Sequence, residues 1–240
     1  MIKTNCDLTW LADIRKSDNP QVWTAGCSFA LGVGVDKKQR YGQIVAETLG
    51  LEVSFLSILG SSIPWAADQI LRSDIQKDDI VLWGLTNISR YVTFKNNIFV
   101  NVLPETFTVD LDPIKLAIHT DETRQHVINY YKNYQQGINN WSDKDRRQME
   151  TNLLHEDRLM QAVQSVHQVN NFCNKIGARL VVFIHHLNLP EFQQFVIDRI
   201  STLTSYLDVG PQLDIGTTGA HPGPLSHKQW SEDILKVLGK

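Results

Sequence analysis

Short apolar runs and helix-periodic segments alternate over the first third of the chain. Residues 22–25 form an apolar run that ends at Gly26, which is the pattern of a buried strand. Apolar side chains then recur at helical spacing over 41–49, and Gly50 follows as a helix stop. The alternation continues with a strand over 51–59, a helix capped by Ser61 or Ser62 with Pro64 in its first turn, and a strand over 80–83.

The middle of the chain interrupts this alternation. Residues 88–142 contain Pro104, Pro113 and a tyrosine cluster, and they predict an irregular insertion with one helix around 121–134. The alternation resumes with a long amphipathic helix over 143–175, a strand over 180–184, a helix over 190–203, an edge strand over 206–209 and a closing helix over 226–238.

Strands that alternate with helices predict an α/β fold in which helices cover both faces of a central parallel sheet. We therefore expect one three-layer α/β/α domain over residues 1–240, with the insertion at about 88–142. In such folds the binding and catalytic sites form at the carboxyl ends of the strands. The loops that follow the predicted strands are accordingly the places to look for chemistry.

The amino-acid composition argues against some classes of binding partner. The 240 residues include 23 basic and 26 acidic side chains, for a net charge of −3, so the chain lacks the positive excess typical of nucleic-acid binding. No run approaches the ~18 apolar residues of a membrane span, and the first residues lack the apolar stretch of a signal peptide. Three scattered cysteines, Cys6, Cys27 and Cys173, are typical of reduced thiols. We expect a cytoplasmic protein without a nucleic-acid or membrane partner.

Two residues on the predicted loops have the chemistry of a serine hydrolase. Ser28 follows the first strand, where a serine either caps a helix or presents its hydroxyl beside free backbone N–H groups that stabilise an oxyanion. His221 lies in a Gly- and Pro-rich loop near the end of the chain. Because a serine hydroxyl needs a base of near-neutral pKa to become a nucleophile, His221 is the natural partner of Ser28.

Other side chains offer alternatives that the residues alone leave open. Cys27 could supply a thiol nucleophile, although a cysteine beside a strand end is more often a small core residue. His185 and His186 end the fourth predicted strand, and since neighbouring strand residues face opposite sides, one of them contacts substrate more readily than both bind a metal. Arg90 is either a solvated arginine or a clamp for an anionic substrate group. The sequence thus predicts no metal and no cofactor.

Four short motifs occur in a fixed order: Gly26-Cys27-Ser28-Phe29, Leu59-Gly60-Ser61-Ser62, Thr86-Asn87 and His221-Pro222. Together they resemble the four sequence blocks of the SGNH (GDSL-type) hydrolase superfamily, over residues 20–230 apart from the insertion. The resemblance implies a flavodoxin-like fold and ester hydrolysis through an acyl-enzyme. It also implies that Ser28 is the nucleophile and His221 the base. The oxyanion hole would consist of the backbone N–H groups of Ser28 and Gly60 with the side chain of Asn87.

Three positions depart from the family's blocks. Cys27 stands where an aspartate usually precedes the serine. Asn87 lies one residue further from Gly84 than the family's spacing has it. Thr218 occupies the place, three residues before the histidine, where the family has the acid of its triad. The last departure removes the negative charge that the family's triad places beside the histidine.

The missing acid leaves two ways to orient His221. Either an acid is recruited from Asp214 or Asp208, with Asp214 bonding Nδ1 of His221, or a backbone carbonyl orients the ring. The leading hypothesis is a serine esterase that acts on a small acyl ester, such as an O-acetylated carbohydrate, through a Ser–His dyad or an atypical triad. The alternative is a non-catalytic binding protein with the same fold. A flavodoxin-like nucleotide binder is a third reading, which the lack of a complete phosphate-binding motif disfavours.

Overall fold

A computed structural model describes residues 15, 17–58, 60–86, 91–95, 98–102, 156–184, 198–199, 201–202, 205–209, 212–218 and 221–240, and the backbone alone for 91–95, 98–102, 156–159, 205 and 208. The strands are β1 (Gln21–Gly26), β2 (Glu52–Ser57), β3 (Ile80–Leu85), β4 (Tyr91–Lys95), β5 (Ile98–Val102), β6 (Arg179–Ile184) and β7 (Ser205–Asp208). The helices are α1 (Ser28–Leu31), α2 (Tyr41–Leu49), α3 (Ile63–Arg72), α4 (Glu156–Ile176) and α5 (Pro224–Val237), with a 3-10 turn at Lys37–Gln39.

Five of the strands form one parallel sheet in the order β2-β1-β3-β6-β7. The predicted α/β class and central parallel sheet are confirmed. Both faces are covered, because Trp23 and Trp83 lie in the apolar layer shared with α3 and α4, whereas Val22 and Leu82 lie in the layer shared with α2 and α5. Burial of each large side chain in these layers stabilises the fold by roughly 1.5–3 kcal/mol. No helix within the described ranges is long and apolar enough to cross a membrane.

Local signals in the sequence account for the helix ends. The Ser62 hydroxyl accepts a hydrogen bond from the backbone N–H of Trp65 at 3.3 Å, and this caps α3 as predicted. Gly50 has φ +69° and ends α2, since a residue with a Cβ would be strained in this left-handed conformation. Helix α5 begins at Pro224, two residues before the predicted start at 226, because proline suits the first turn of a helix.

The segment predicted to be irregular contains an antiparallel hairpin. Strands β4 and β5 pair from Tyr91↔Val102 to Lys95↔Ile98. Both strands are rich in β-branched and aromatic residues, which is a strand composition that the nearby Asn and Pro residues obscured. The helices predicted around 121–134 and over 190–203, and the first part of the helix predicted over 143–175, fall at least in part outside the described residues.

A buried carboxylate ties the amino ends of the central strands together. Asp79 precedes β3 and is completely buried. Its oxygens accept hydrogen bonds from the backbone N–H of Gln21 at 2.9 Å and from Nε1 of Trp23 at 2.9 Å. They also accept from the backbone N–H of Gln76 at 2.8 Å and from Nη1 of Arg15 at 2.7 Å, a side chain that is 6% exposed. Because the four donors come from three separate parts of the chain, this one side chain joins β1, the loop before β3 and the segment before β1.

We expect Asp79→Asn to lower the free energy of unfolding by about 3–5 kcal/mol, because it leaves the buried Arg15 charge without its counter-charge. Asp68→Asn is the matched control. Asp68 pairs with Arg72 on an exposed helix surface, where such a pair contributes about 0.3–0.5 kcal/mol. Urea denaturation of the three proteins measures both changes, and equal losses for the two variants would contradict the role assigned to Asp79.

Candidate active site

The strand order has a switch point between β1 and β3. The connection that leaves β1 leads to β2 on one side, whereas the chain then crosses to β3 on the other side. Helical connections diverge at such a switch point and leave room for a ligand between them. Ser28 follows β1, Gly60 follows β2 and Thr86 follows β3. These three residues therefore lie at the edge of the sheet where open α/β folds bind ligands.

The backbone at the end of β1 turns sharply to position Ser28. Gly26 has φ +138°, and a Cβ at this residue would overlap the carbonyl oxygen of Gly84 at the end of β3. Cys27 then continues in extended conformation, and Ser28 begins the four-residue helix α1, 7% exposed. The backbone N–H of Ile58 donates to the carbonyl of Gly26 at 3.3 Å, which holds the end of β2 beside this turn.

The His221 loop docks on the segment that follows α1. The carbonyl of Gly34 accepts hydrogen bonds from the backbone N–H of Thr217 at 3.0 Å and from its Oγ1 at 3.2 Å. Gly216 lies against the same carbonyl, so closely that a Cβ on Gly216 would overlap it. Within the loop, the backbone N–H of Gly216 donates to the carbonyl of His221 at 2.7 Å. This docking carries His221 to the neighbourhood of α1.

The ring of His221 meets the residue next to Ser28. Phe29 presents its ring to His221 in an edge arrangement, with ring centroids 5.8 Å apart, and it stacks at 6.3 Å on Trp230 of α5. Ser28 and His221, predicted from sequence to meet at the carboxyl edge of the sheet, thus lie on adjoining segments there. Their assignment as nucleophile and base remains a proposal.

Nδ1 of His221 lies within hydrogen-bonding distance of a hydroxyl group. Thr218 Oγ1 lies 3.0 Å from Nδ1, and both side chains are partly buried. This contact differs from both arrangements expected from the sequence, a carboxylate from Asp214 or a backbone carbonyl. Thr218 stands at the position of the missing acid, so the spacing alone marked the place of this contact but not its chemistry.

The Asp214 carboxylate faces the start of α5 instead. It accepts hydrogen bonds from the backbone N–H groups of Leu225 at 2.9 Å and Ser226 at 2.8 Å, and from Ser226 Oγ at 2.7 Å. Partial burial acts to raise the pKa of Asp214, but these hydrogen bonds and the field of His227 outweigh it and lower the pKa. A helix N-terminus offers unpaired N–H groups and a positive dipole end to a carboxylate. Asp214 is therefore a helix cap, which corrects its expected contact with His221.

A second histidine, His227, lies in the core beside the start of α2. His227 is fully buried and stacks on Tyr41 with ring centroids 5.7 Å apart, and its Nδ1 accepts a hydrogen bond from the backbone N–H of Tyr41 at 3.3 Å. Burial, with a smaller effect of Arg40, lowers the pKa of His227 to about 4. His227 is consequently neutral at neutral pH and caps α2 rather than exchanging protons. Its six-residue spacing from His221 was visible in the sequence, but this role was not.

The remaining predicted site residues divide between described and undescribed parts of the chain. Gly60 is buried with φ +68°, in the bend that leads into α3. Asn87, Arg90, His185 and His186 lie outside the described residues, and so does the side chain of Asp208. Within the described ranges, no three His, Cys, Asp or Glu side chains come together to hold a metal ion.

The two described cysteines are free and buried. Burial raises the pKa of Cys173 to about 12, so this thiol is inert at neutral pH. Cys27 is 5% exposed and lies near the buried hydroxyl of Tyr41, whose pKa is raised well above its ordinary value by burial and, to a lesser extent, by Cys27. This environment is that of a core residue.

Several solved structures share the fold at low sequence identity. A carbohydrate esterase family 2 enzyme with a carbohydrate-binding domain, from Corynascus thermopiles (Myceliophthora fergusii), matches with a TM-score of 0.53 and 14% identity over 95% of this chain and 69% of that one. The structure of TesA matches with a TM-score of 0.51 and 12% identity over 91% of this chain and 98% of that one. A carbohydrate esterase described as having divergent catalytic and non-catalytic binding functions matches with a TM-score of 0.51 and 12% identity, over 92% and 68%. No family model matches the chain, and no curated protein matches it in sequence.

We expect Asp214→Ala to lower the free energy of unfolding by about 1–2 kcal/mol at neutral pH, because it removes the carboxylate that caps α5. A carboxylate whose pKa is lowered by folding stabilises the protein above its unfolded pKa of about 3.9, and the stabilisation is lost as the pH falls through the folded pKa. The difference between wild type and variant should therefore shrink in acid. Denaturation curves at several pH values measure it, with Asp68→Ala as a surface control, and a difference that persists unchanged in acid would contradict the assigned role.

Proposed function

Because the chain has the fold of the SGNH hydrolases, we propose that it is a serine esterase with Ser28 as nucleophile and His221 as general base. The observation that supports this proposal is the docking of the His221 loop on Gly34, together with the edge contact between the His221 ring and Phe29, the residue next to Ser28. Both residues stand in the motifs that resemble the family's first and last blocks, and the fold brings those motifs together although they are almost 200 residues apart.

The proposed reaction proceeds through an acyl-enzyme. Nε2 of His221 takes the proton of Ser28 as its Oγ forms a bond to the ester carbonyl carbon. The resulting oxyanion accepts hydrogen bonds from the backbone N–H groups of Ser28 and Gly60 and from the side chain of Asn87, as the family resemblance implies. The C–O bond of the ester then breaks, and the alcohol leaves with the proton from His221. Water, deprotonated by the same ring, attacks the acyl carbonyl carbon, and the bond from that carbon to Ser28 Oγ breaks. The ring returns the proton to Oγ, and the carboxylic acid leaves.

The proposed substrate is a small acyl ester, such as an O-acetylated carbohydrate. Two of the structural neighbours are described as carbohydrate esterases, which supports this class of substrate without identifying the sugar. Arg90, His185 and His186 are proposed to contact the substrate, since they follow β3 and β6 in the sequence. The proposed location of the protein is the cytoplasm, as its composition and thiols suggest.

One observation favours a second candidate, a binding protein that keeps the fold without efficient chemistry. The partner of His221 Nδ1 is the neutral Thr218 hydroxyl, whereas the triad mechanism relies on a carboxylate to stabilise the imidazolium. An esterase that lacks this charge should be slow. The two candidates differ in one measurable respect, the turnover of an ester.

We expect Ser28→Ala to reduce kcat/KM for a p-nitrophenyl acyl ester by at least about 10³-fold, because it removes the attacking atom. Cys27→Ala is the matched control at the adjacent residue and should retain activity within a few-fold, since the thiol lies in the core. Steady-state kinetics on folded protein measure both. The reverse pattern would make the protein a thiol enzyme, and wild-type protein that turns over no short-chain ester would favour the binding protein.

A further inference from the structure

We propose that Thr218 is the positioning residue of His221 and that its hydroxyl, unlike a carboxylate, leaves the ring in exchange between two tautomers. The consequences of this inference for catalysis rest on the proposed function. Its physical basis is the 3.0 Å contact between Thr218 Oγ1 and His221 Nδ1.

The Thr218 hydroxyl is held in place by the docked loop. Its neighbour Thr217 anchors the loop to the carbonyl of Gly34 with two hydrogen bonds. Thr218 Oγ1 itself lies over Gly34, close enough that a Cβ there would approach it to 3.2 Å. The backbone bond from Gly216 to His221 closes the loop behind the ring. The docked loop thus holds the Thr218 hydroxyl at Nδ1, and the chemistry depends on which group occupies position 218.

A hydroxyl and a carboxylate impose different tautomers on an imidazole. An ionised carboxylate only accepts hydrogen bonds, so it requires a proton on Nδ1 and leaves Nε2 unprotonated. A hydroxyl both donates and accepts. When Nδ1–H donates to Thr218 Oγ1, Nε2 is unprotonated and can take a proton from Ser28. When Thr218 Oγ1 donates to Nδ1, Nε2 carries the proton and cannot act as the base.

Two described neighbours of the His221 ring add no charge that would select a tautomer at neutral pH. Among the described residues that adjoin His221, Phe29 is uncharged and His227 is neutral at neutral pH. Arg40 and Asp214 both act on His227, and the Asp214 carboxylate is engaged at the start of α5. A carboxylate at position 218 would add the charge that stabilises the imidazolium and would also fix the Nδ1–H tautomer.

Two measurements test the proposal on the full-length protein. The first is the ¹⁵N chemical shifts of the His221 ring, assigned by comparison with His221→Gln, at about pH 8 where an ordinary histidine is neutral. We expect values between those of the two pure tautomers for wild type and Thr218→Ser, and values of the Nδ1–H tautomer for Thr218→Asp.

The second measurement is steady-state kinetics with a p-nitrophenyl ester. Thr218→Asp should raise kcat by about 10-fold or more, because the fixed tautomer and the added charge both act in the transition state.

Thr218→Val and Thr217→Val form the matched pair of controls. Thr218→Val removes the partner of Nδ1 and should lower kcat about 10-fold with little change in KM, whereas Thr218→Ser should restore it. Thr217→Val removes one of the two hydrogen bonds that anchor the loop and keeps the bond from its backbone N–H to Gly34, so we expect a smaller fall in kcat and His221 ¹⁵N shifts that stay between those of the two tautomers. A kcat loss for Thr217→Val as large as that for Thr218→Val, with the ring shifts altered in both, would reduce Thr218 to a structural residue of the loop and overturn the proposal.

The ring shifts separate this proposal from the proposed function. Wild-type protein that already shows the pure Nδ1–H tautomer, or a Thr218→Asp variant with wild-type shifts and kcat, would overturn the proposal. If no variant hydrolyses an ester, the esterase assignment fails, and the ¹⁵N shifts of wild type and of the Ser and Val variants still decide whether Thr218 sets the tautomer. If Thr218→Asp does not fold, the same two variants decide it.

Discussion

The docking of the His221 loop on the carbonyl of Gly34 is the contact on which the candidate site depends. His221 and Ser28 are remote in sequence, and they share the carboxyl edge of the sheet because Thr217 bonds to Gly34 and Gly216 lies against it without a side chain. A Cβ on Gly216 would separate these two backbone segments. Catalysis by a serine and a histidine tolerates displacements of less than about 1 Å, so the proposed reaction would depend strongly on this backbone contact.

The other end of the same loop is fixed by helix α5. Ser226 is fully buried, and its Oγ accepts hydrogen bonds from the backbone N–H groups of Leu213 and Asp214 while the Asp214 carboxylate caps the helix. One turn further along, Trp230 stacks on Phe29, which in turn meets His221. The loop is therefore held at both ends, and the carboxylate available nearby is used for structure. This arrangement explains in physical terms why the ring of His221 has a hydroxyl as its Nδ1 partner.

The sequence predicts the sheet and its helices well, because local signals determine them. The strand at 22–25 and the helix at 41–49 were predicted from apolar spacing bounded by Gly26 and Gly50, and the structure confirms both. The hairpin of β4 and β5 was missed, since its β-branched and aromatic residues lie among Asn and Pro residues that favour irregular structure. Local sequence patterns thus predict the individual strands and helices. The pairing of strands that are distant in sequence can be predicted only where general rules of topology apply.

The candidate site was predicted less completely, because its details depend on contacts between distant residues. The motif order identified Ser28, Gly60 and His221 as residues that follow strands or lie on the last loop. The role of Asp214 could not be read from the sequence, since it depends on how the chain between 214 and 225 folds back on the start of α5. The bond from Thr218 to the ring is likewise a product of the loop's conformation.

The most direct test of this account is covalent labelling with a fluorophosphonate, located by mass spectrometry. The Oγ of an activated serine forms a bond to phosphorus as fluoride leaves, so the adduct identifies the nucleophile without knowledge of the natural substrate. The account predicts a single adduct on the peptide that contains Ser28, lost in Ser28→Ala and much slower to form in His221→Ala. An adduct on Cys27, or labelling of Ser28 at the same rate without His221, would contradict it.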